Sequence, residues 1–170
     1  FVNVWNLAIS PDGRHLAAEV RLNLYEYTIA VDGIPWKSNY QTVWEPVFNP
    51  ATGAVVAPVR EKGVWALAEN GKILWDQRFV QIWQQVFNPQ GDRLAAIVAP
   101  SYGRWTVAVD GVPWPTTFST LVTDAVFSPD GQRIAALAKA IGIIFRQAQG
   151  SPFLVNMFQR FFNHHRPSYN

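Results

Sequence analysis

A chain of 170 residues, 49% hydrophobic and 14% aromatic, can bury a sizeable core and does not have the composition of a disordered chain. No apolar run reaches the length of a membrane-spanning helix, and the lack of cysteine excludes disulfides and thiol chemistry without choosing a compartment. The net charge of +2 is unevenly placed: residues 1–130 carry nine basic and twelve acidic side chains, whereas Arg133, Lys139, Arg146, Arg160 and Arg166 follow with no acid.

The first element opens on Phe1 and Trp5, closes at a turn over Pro11 to Gly13, and is followed by Asp32-Gly33 and Trp36. The same succession then recurs. Tyr40 and Trp44 lead to Pro50 and Gly53, then to Trp65, Asn70-Gly71 and Trp75. Phe79 and Trp83 lead to Pro89 and Gly91, then to Trp105, Asp110-Gly111 and Trp114. Phe118 leads to Pro129 and Gly131, with a faded turn at Gln149-Gly150. Trp5, Trp44 and Trp83 are 39 residues apart, as are Trp36, Trp75 and Trp114, while Trp65 and Trp105 are 40 apart. A tryptophan placed by a period is placed by packing against the next copy of the same unit, so the chain is a repeat array.

The third copy gives the local structure. Ile82 to Phe87 is short, apolar and aromatic-rich, so it predicts a strand. Asn88-Pro89-Gln90-Gly91 is a turn, with proline presetting φ and glycine accepting a positive one. Leu94 to Val98 is the next strand and Pro100 to Gly103 a loop. Arg104 to Val109 alternates with period two. Asp110-Gly111 is a hairpin signal. Val112 to Phe118 makes a fourth strand, which Pro113 places at an edge. Four antiparallel strands in about 39 residues are one blade of a β-propeller. The expected fold is all-β: four such blades over residues 1–150, closed or as an open arc, followed by a tail over residues 151–170. Because Phe1 falls inside a repeat, with no signal peptide before it, the chain reads as a piece of a longer product. An incomplete propeller would expose a blade face and could close as a head-to-tail homodimer.

In the tail, Ser151 suits a helix N-cap and Pro152 the first helical position. Leu154, Met157, Phe158, Phe161 and Phe162 follow helical spacing. His164, His165 and Arg166 complement a C-terminal dipole before Pro167. An amphipathic helix from about Pro152 to His165 is predicted. It either covers the last blade, docks on a partner or membrane surface, or gives way to a further blade begun by Phe153.

The strings Phe87-Asn88-Pro89-Gln90-Gly91 and Phe127-Ser128-Pro129-Asp130-Gly131, with Ile9 to Gly13 and Phe48 to Gly53 close to them, resemble the TolB-like, WD-repeat-like propeller repeats. The chain lacks any Gly-His pair, and Trp75-Asp76 is matched by Trp36-Lys37 and Trp114-Pro115, so the standard WD hydrogen-bond tetrad is not expected. Thr106 to Trp114, with Phe118, is similar to the tryptophan-rich D subunits of the Tmc transmembrane redox complexes, and residues 1–139 carry that likeness. The resemblance implies a non-catalytic, cofactor-free accessory subunit of a membrane-associated electron-transfer complex. It also implies other protein subunits as partners and a cytoplasmic location at the inner face of the membrane.

The residues themselves offer no catalytic cluster. Asp12, Asp32, Asp110 and Asp130 are turn residues. His15, His164 and His165 do not suit a metal site. There is no phosphate loop, and the basic residues form no stripe for nucleic acid. Asp124 aligns with Gln84, Glu45 and Asn6, so the repeat wants a polar group there, bonded to a neighbouring turn or to channel water. Asp124, Glu45 and Gln84 are also the only candidates for the alternative function, a propeller hydrolase or small-ligand binder at the channel mouth. Trp5, Trp44 and Trp83 head the first strand of each blade, which lines the channel. They and the tail residues Leu154, Met157, Phe158, Phe161 and Phe162 are the candidate interface residues.

Overall fold

The structure, a computed structural model, describes residues 1–138 and, beyond them, the backbone of strands 142–147 and 152–153. Its strands form four antiparallel sheets in chain order. The first contains β1 (Asn3–Ile9), β2 (Leu16–Arg21), β3 (Tyr27–Val31) and β4 (Ile34–Pro35). In the second, β5 (Thr42–Val43) and β6 (Val47–Phe48) are two halves of one interrupted strand on β7 (Val55–Glu61), followed by β8 (Val64–Glu69) and β9 (Lys72–Ile73). The third holds β10 (Gln81–Phe87), β11 (Leu94–Ser101), β12 (Arg104–Val109) and β13 (Val112–Pro113). The fourth holds β14 (Val122–Phe127), β15 (Arg133–Ala138), β16 (Gly142–Gln147) and β17 (Pro152–Phe153). Each sheet is an up-and-down meander, and no helix occurs among the described residues.

Two turns define one end of each of the first three blades. Asp32-Gly33, Asn70-Gly71 and Asp110-Gly111 each have two successive positive φ values, the hairpin geometry that the dipeptides predict. Their side chains explain why the repeat keeps Asp or Asn. Asp32, Asn70 and Asp110 accept, through Oδ1, the backbone N–H of Leu16, Val55 and Leu94 at 2.9, 3.0 and 2.9 Å. Their own N–H groups donate back to the carbonyls of the same three residues. Beside these hairpins lie the proline turns, closed by bonds from Gly13 to Ser10, Gly91 to Asn88 and Gly131 to Ser128. The second copy has one residue more, so Gly53 bonds back four residues to Asn49.

The core lies between blades. Ala17 and Ile29 of the first blade pack with Val43, Val55, Ala57 and Val59 of the second. Val56 and Leu67 pack with Ile82, Leu94, Ala96 and Val98 of the third. Ala95, Ile97 and Val107 pack with Val122, Ile134 and Ala136 of the fourth. Each fully buried aliphatic side chain contributes about 1.5–3 kcal/mol. The 39-residue tryptophan set joins this packing. Trp36 and Trp75 lie on the hairpin glycines of the following blades, where a Cβ on Gly71 or Gly111 would stand 3.2 Å from the tryptophan side chain. The Tyr40 hydroxyl donates to the Gly71 carbonyl at 3.0 Å. On the first blade, the face that the others turn to a preceding blade is open: Val4 and Leu16 are 50% and 44% exposed, whereas their counterparts Val43 and Val55 are 0% and 1% exposed.

Three boundaries differ from the sequence expectation. The strand predicted to stop at Val98 continues to Ser101, because Tyr102 and Gly103 alone make the turn and Ser101 pairs with Arg104. The ladder is irregular around Pro100, which lacks an N–H. The outer strand predicted over Val112 to Phe118 pairs only at Val112–Pro113 and again at a Phe118 bridge to Trp105. Pro113 and Pro115 cannot donate, and the buried Thr106 hydroxyl bonds the Thr116 carbonyl at 2.7 Å across the gap. The third difference is at the predicted helix start, where Pro152 and Phe153 pair with Arg146 and Phe145 as a strand. Leu154, Met157, Phe158, Phe161 and Phe162 lie outside the described residues.

Candidate functional site

The first strand of each blade is an edge strand of its sheet, and in the first, third and fourth blades it carries a bulge. Asn6 and Leu7 oppose one residue of β2, Gln84 and Gln85 one of β11, and Asp124 and Ala125 one of β15. The first residue of each pair is left-handed, at φ 48, 49 and 56°. Asn and Asp tolerate this conformation, so the polar preference at this position is in part a backbone requirement. The second blade departs from it. Glu45 precedes Pro46, which favours an extended backbone, and the strand breaks into β5 and β6. Bonds between blades run differently from the expected side-chain bond to a turn or water: the Asp124 N–H donates to Gln84 Oε1 at 2.9 Å and the Gln85 amide donates to the Glu45 carbonyl, while the Asp124 carboxylate accepts from the adjacent Thr123 hydroxyl.

Trp5 and Trp83 stand immediately before bulges, and Trp44 lies in the break between β5 and β6. Trp5 is 40% exposed, and Trp44 and Trp83 are half-buried. Trp44 lies 4.8 Å from Trp65 and 6.3 Å from Trp83, the latter pair only 12° from parallel. Trp83 stacks on Trp105 at 4.7 Å. A continuous run of four indoles, Trp65–Trp44–Trp83–Trp105, therefore crosses the second and third blades. Trp5 stacks on Tyr27 at 6.4 Å. Tyr27 is the first blade's copy of Trp65 and Trp105, since all three bridge to the recurring aromatics Tyr40, Phe79 and Phe118. It stands two full periods, 78 residues, before Trp105, and the tryptophan spacing missed it because the first copy carries tyrosine there. In the fourth blade Thr123 takes the tryptophan's place, opposite Leu137, and the row ends.

The step from Trp44 to Trp83 has no counterpart between Trp5 and Trp44. A cleft of about 410 Å³ lies there instead, lined by Trp5, Asn6, Glu19, Trp44 and Glu45. Glu19 accepts a bond from Asn6 Nδ2 at 2.8 Å, and burial raises its pKa above the usual carboxylate value. Sequence reasoning passed over Glu19, although the period marks it. It stands opposite Trp5 where Pro58, Ile97 and Leu137 stand in the other blades, so a carboxylate has replaced an apolar side chain. The three aligned polar residues do not form one site: Gln84 and Asp124 meet each other, while Glu45 lines the cleft with the first blade.

Several other charged groups serve turns. The Ser10 hydroxyl and the Arg14 N–H hold the Asp12 pKa low, and Ser128 and Gln132 do the same for Asp130. His15 Nδ1 lies 2.6 Å from Asp32, which raises the imidazole pKa and lowers that of the carboxylate. Arg93 pairs with Asp110 at the equivalent place. Among the described residues no three His, Cys, Asp or Glu side chains converge as a metal set.

No protein-family model matches the sequence, and no curated protein matches it. The fold does have solved counterparts. TolB from Acinetobacter baumannii superposes with a TM-score of 0.57 at 18% identity, over 84% of this chain and 40% of that one. The β-propeller domain of Myceliophteria thermophila Cps50 (Swd1) gives a TM-score of 0.50 at 15% identity, over 89% of this chain and 55% of that one. The chain thus has a propeller-blade fold of the TolB-like, WD-repeat-like type and spans about half or less of the length of these two structures.

Proposed function

We propose that this chain is a non-catalytic interaction module whose first-strand tryptophan row receives a protein partner. The observation that carries the reading is the row itself. The first-strand rings Trp5, Trp44 and Trp83, each locked by a stacked neighbour and each leaving part of its surface to solvent, are the kind of anchor that dominates protein interfaces. The surrounding chemistry supports binding over turnover. Near the row, the Asp124 carboxylate is bonded within its own bulge and Glu19 to the bulge residue Asn6, and the described residues present no nucleophile hydrogen-bonded to a base that a third group orients. The hydrolase alternative is therefore not favoured.

At finer grain, the chain is proposed as an accessory subunit of a membrane-associated electron-transfer complex, on the cytoplasmic side. The support is the likeness of the Thr106 to Trp114 string and of the repeat around it. In this reading the apolar stripe of the tail, with Leu154, Met157, Phe158, Phe161 and Phe162, meets the complex or the membrane surface. Affinity purification of the tagged chain from a membrane extract tests both levels. A stoichiometric partner lost on Trp44→Ala supports the module, and redox subunits among the partners support the finer assignment. Recovery of no partner, or recovery unaffected by Trp44→Ala, counts against the tryptophan row.

A further inference from the structure

We propose that the cleft between the first two blades, lined by Trp5, Glu19, Trp44 and Glu45, is a receptor for an arginine side chain presented by the partner. The inference rests on the interaction reading and adds to it the chemistry of the group received.

The first support is shape. Between the second and third blades two parallel indoles, Trp44 and Trp83, occupy neighbouring positions 6.3 Å apart. Between the first and second blades the same two positions, Trp5 and Trp44, are separated by an open cleft of about 410 Å³. A flat group entering there meets aromatic surface from both blades. The guanidinium is planar and weakly hydrated, and it stacks on indoles with a cation–π attraction that a neutral ring does not offer.

The second support is charge. Two carboxylates line the cleft and no basic side chain does. Arg21 lies two residues from Glu19 on the same strand but makes no ion pair with it among the described residues. Glu19 is held by one hydrogen bond, from the neutral Asn6 amide, and its environment disfavours its charge. A guanidinium supplies the missing countercharge and forked donors for a carboxylate.

The third support is the repeat. Packing alone puts Pro58, Ile97 and Leu137 at this position. A chain that needed only packing would have an apolar residue at position 19. The carboxylate occurs in the one pair of blades where the tryptophans are also parted.

The test uses the full chain and three capped tripeptides, Gly-Arg-Gly, Gly-Lys-Gly and Gly-citrulline-Gly, followed by tryptophan fluorescence and by NMR of the indole N–H groups. The arginine peptide is expected to saturate with a dissociation constant in the millimolar range and to shift the Trp5 and Trp44 signals before those of Trp83 and Trp105. Citrulline, which keeps the shape and loses the charge, is expected to bind about tenfold more weakly. Glu19→Leu, which restores the apolar pattern, and Glu19→Gln should each weaken the arginine peptide about tenfold. Asp76→Asn, which removes one charge from an exposed residue that does not line the cleft, should leave it unchanged. Equal binding of citrulline or lysine, or full affinity in both Glu19 variants, overturns the proposal. The two readings fail separately. A captured partner with no arginine binding removes the cleft assignment and keeps the module. Arginine binding with no partner in the extract keeps the cleft and removes the module.

Discussion

The proline turns of successive blades touch, and a pair of glycine substitutions measures that contact. Gly53 and Gly91 are equivalent turn residues with nearly equal φ, 71 and 74°. At Gly53 an added Cβ meets nothing within 4 Å. Gly53→Ala therefore reports the left-handed backbone alone, about 1–2 kcal/mol. At Gly91 the same Cβ would stand 2.8 Å from Ala51 Cβ and 3.0 Å from the Ala51 nitrogen, and would overlap Asn49 Oδ1. The Ala51 obstacle is partly backbone and cannot swing away, so overpacking adds about 1–3 kcal/mol. The shift also threatens the Asn49 Nδ2 bond to the Gly91 carbonyl, 2.9 Å long, for about 1 kcal/mol more. Gly91→Ala should thus cost about 3–6 kcal/mol. Gly131→Ala should fall between the two, because its obstacles, Asn88 and Gln90, are side-chain ends. Urea unfolding of the three variants gives the order directly. In melting temperature, each kcal/mol should appear as about 2–4 °C. Equal losses for Gly53→Ala and Gly91→Ala would refute the turn-to-turn contact between the second and third blades.

The His15–Asp32 pair gives a titration test. Asp32→Asn keeps the hairpin, since Asn70 fills that place in the second blade, but removes the charge that raises His15; NMR should show the His15 pKa falling toward 6.5. In the parent chain the pair stabilises the fold most fully above the unfolded Asp value of 3.8 and below the unfolded His value of 6.5. Its contribution fades as pH rises through the folded imidazole pKa or falls through the folded carboxyl pKa, and is small because both groups are exposed. Tyr40→Phe removes a buried bond to the Gly71 carbonyl while the Ser38 hydroxyl, at 2.8 Å, still satisfies that oxygen; thermal unfolding should show a loss of about 0.5–1.5 kcal/mol.

Much of this fold is legible in the residues because each blade repeats the same solution. Two turn chemistries, each tied to a backbone that only a few residues adopt, fix the strand ends. The aromatic period fixes which blade faces touch. What the pattern hides is local. The run Leu94 to Ser101 reads as strand plus loop because Pro100 punctuates it, yet a chain bordered by pairs on both sides carries the proline through. The polar column Asn6, Gln84 and Asp124 reads as hydrogen bonding alone, because a left-handed bulge leaves no mark except tolerance for Asn and Asp. Tyr27 escapes notice because it is a tyrosine at a place where the later copies carry tryptophan. At the site, the period revealed the tryptophan row but drew attention away from Glu19, which matters because it breaks the period.

That break has a stability consequence. In the folded chain the ionised Glu19 is half-buried without a cation, and its pKa is raised by desolvation. A carboxylate whose folded pKa lies above its unfolded value, 4.5, weakens the fold when ionised. The penalty is absent below about pH 4.5, where both states bind the proton, and is complete above the folded pKa. Glu19→Leu should therefore melt at a higher temperature than the parent at pH 7, with a gain that shrinks as the pH falls through the folded pKa and is gone below about 4.5. Glu19→Gln should show the same pH trend, since it removes the charge and keeps the shape. A bound guanidinium should narrow the difference at pH 7, because it supplies the opposite charge that the folded chain lacks. If Glu19→Leu lowered the melting temperature at pH 7, the carboxylate would be a structural part of the blade pair. The apolar residues Pro58, Ile97 and Leu137 would then be poor guides to what position 19 requires. If the gain persisted unchanged at pH 3, it would come from leucine packing instead of from relief of a buried charge. Only a gain confined to the pH range where Glu19 is ionised marks this site as one where the repeat has given up stability to hold a charge at an open cleft.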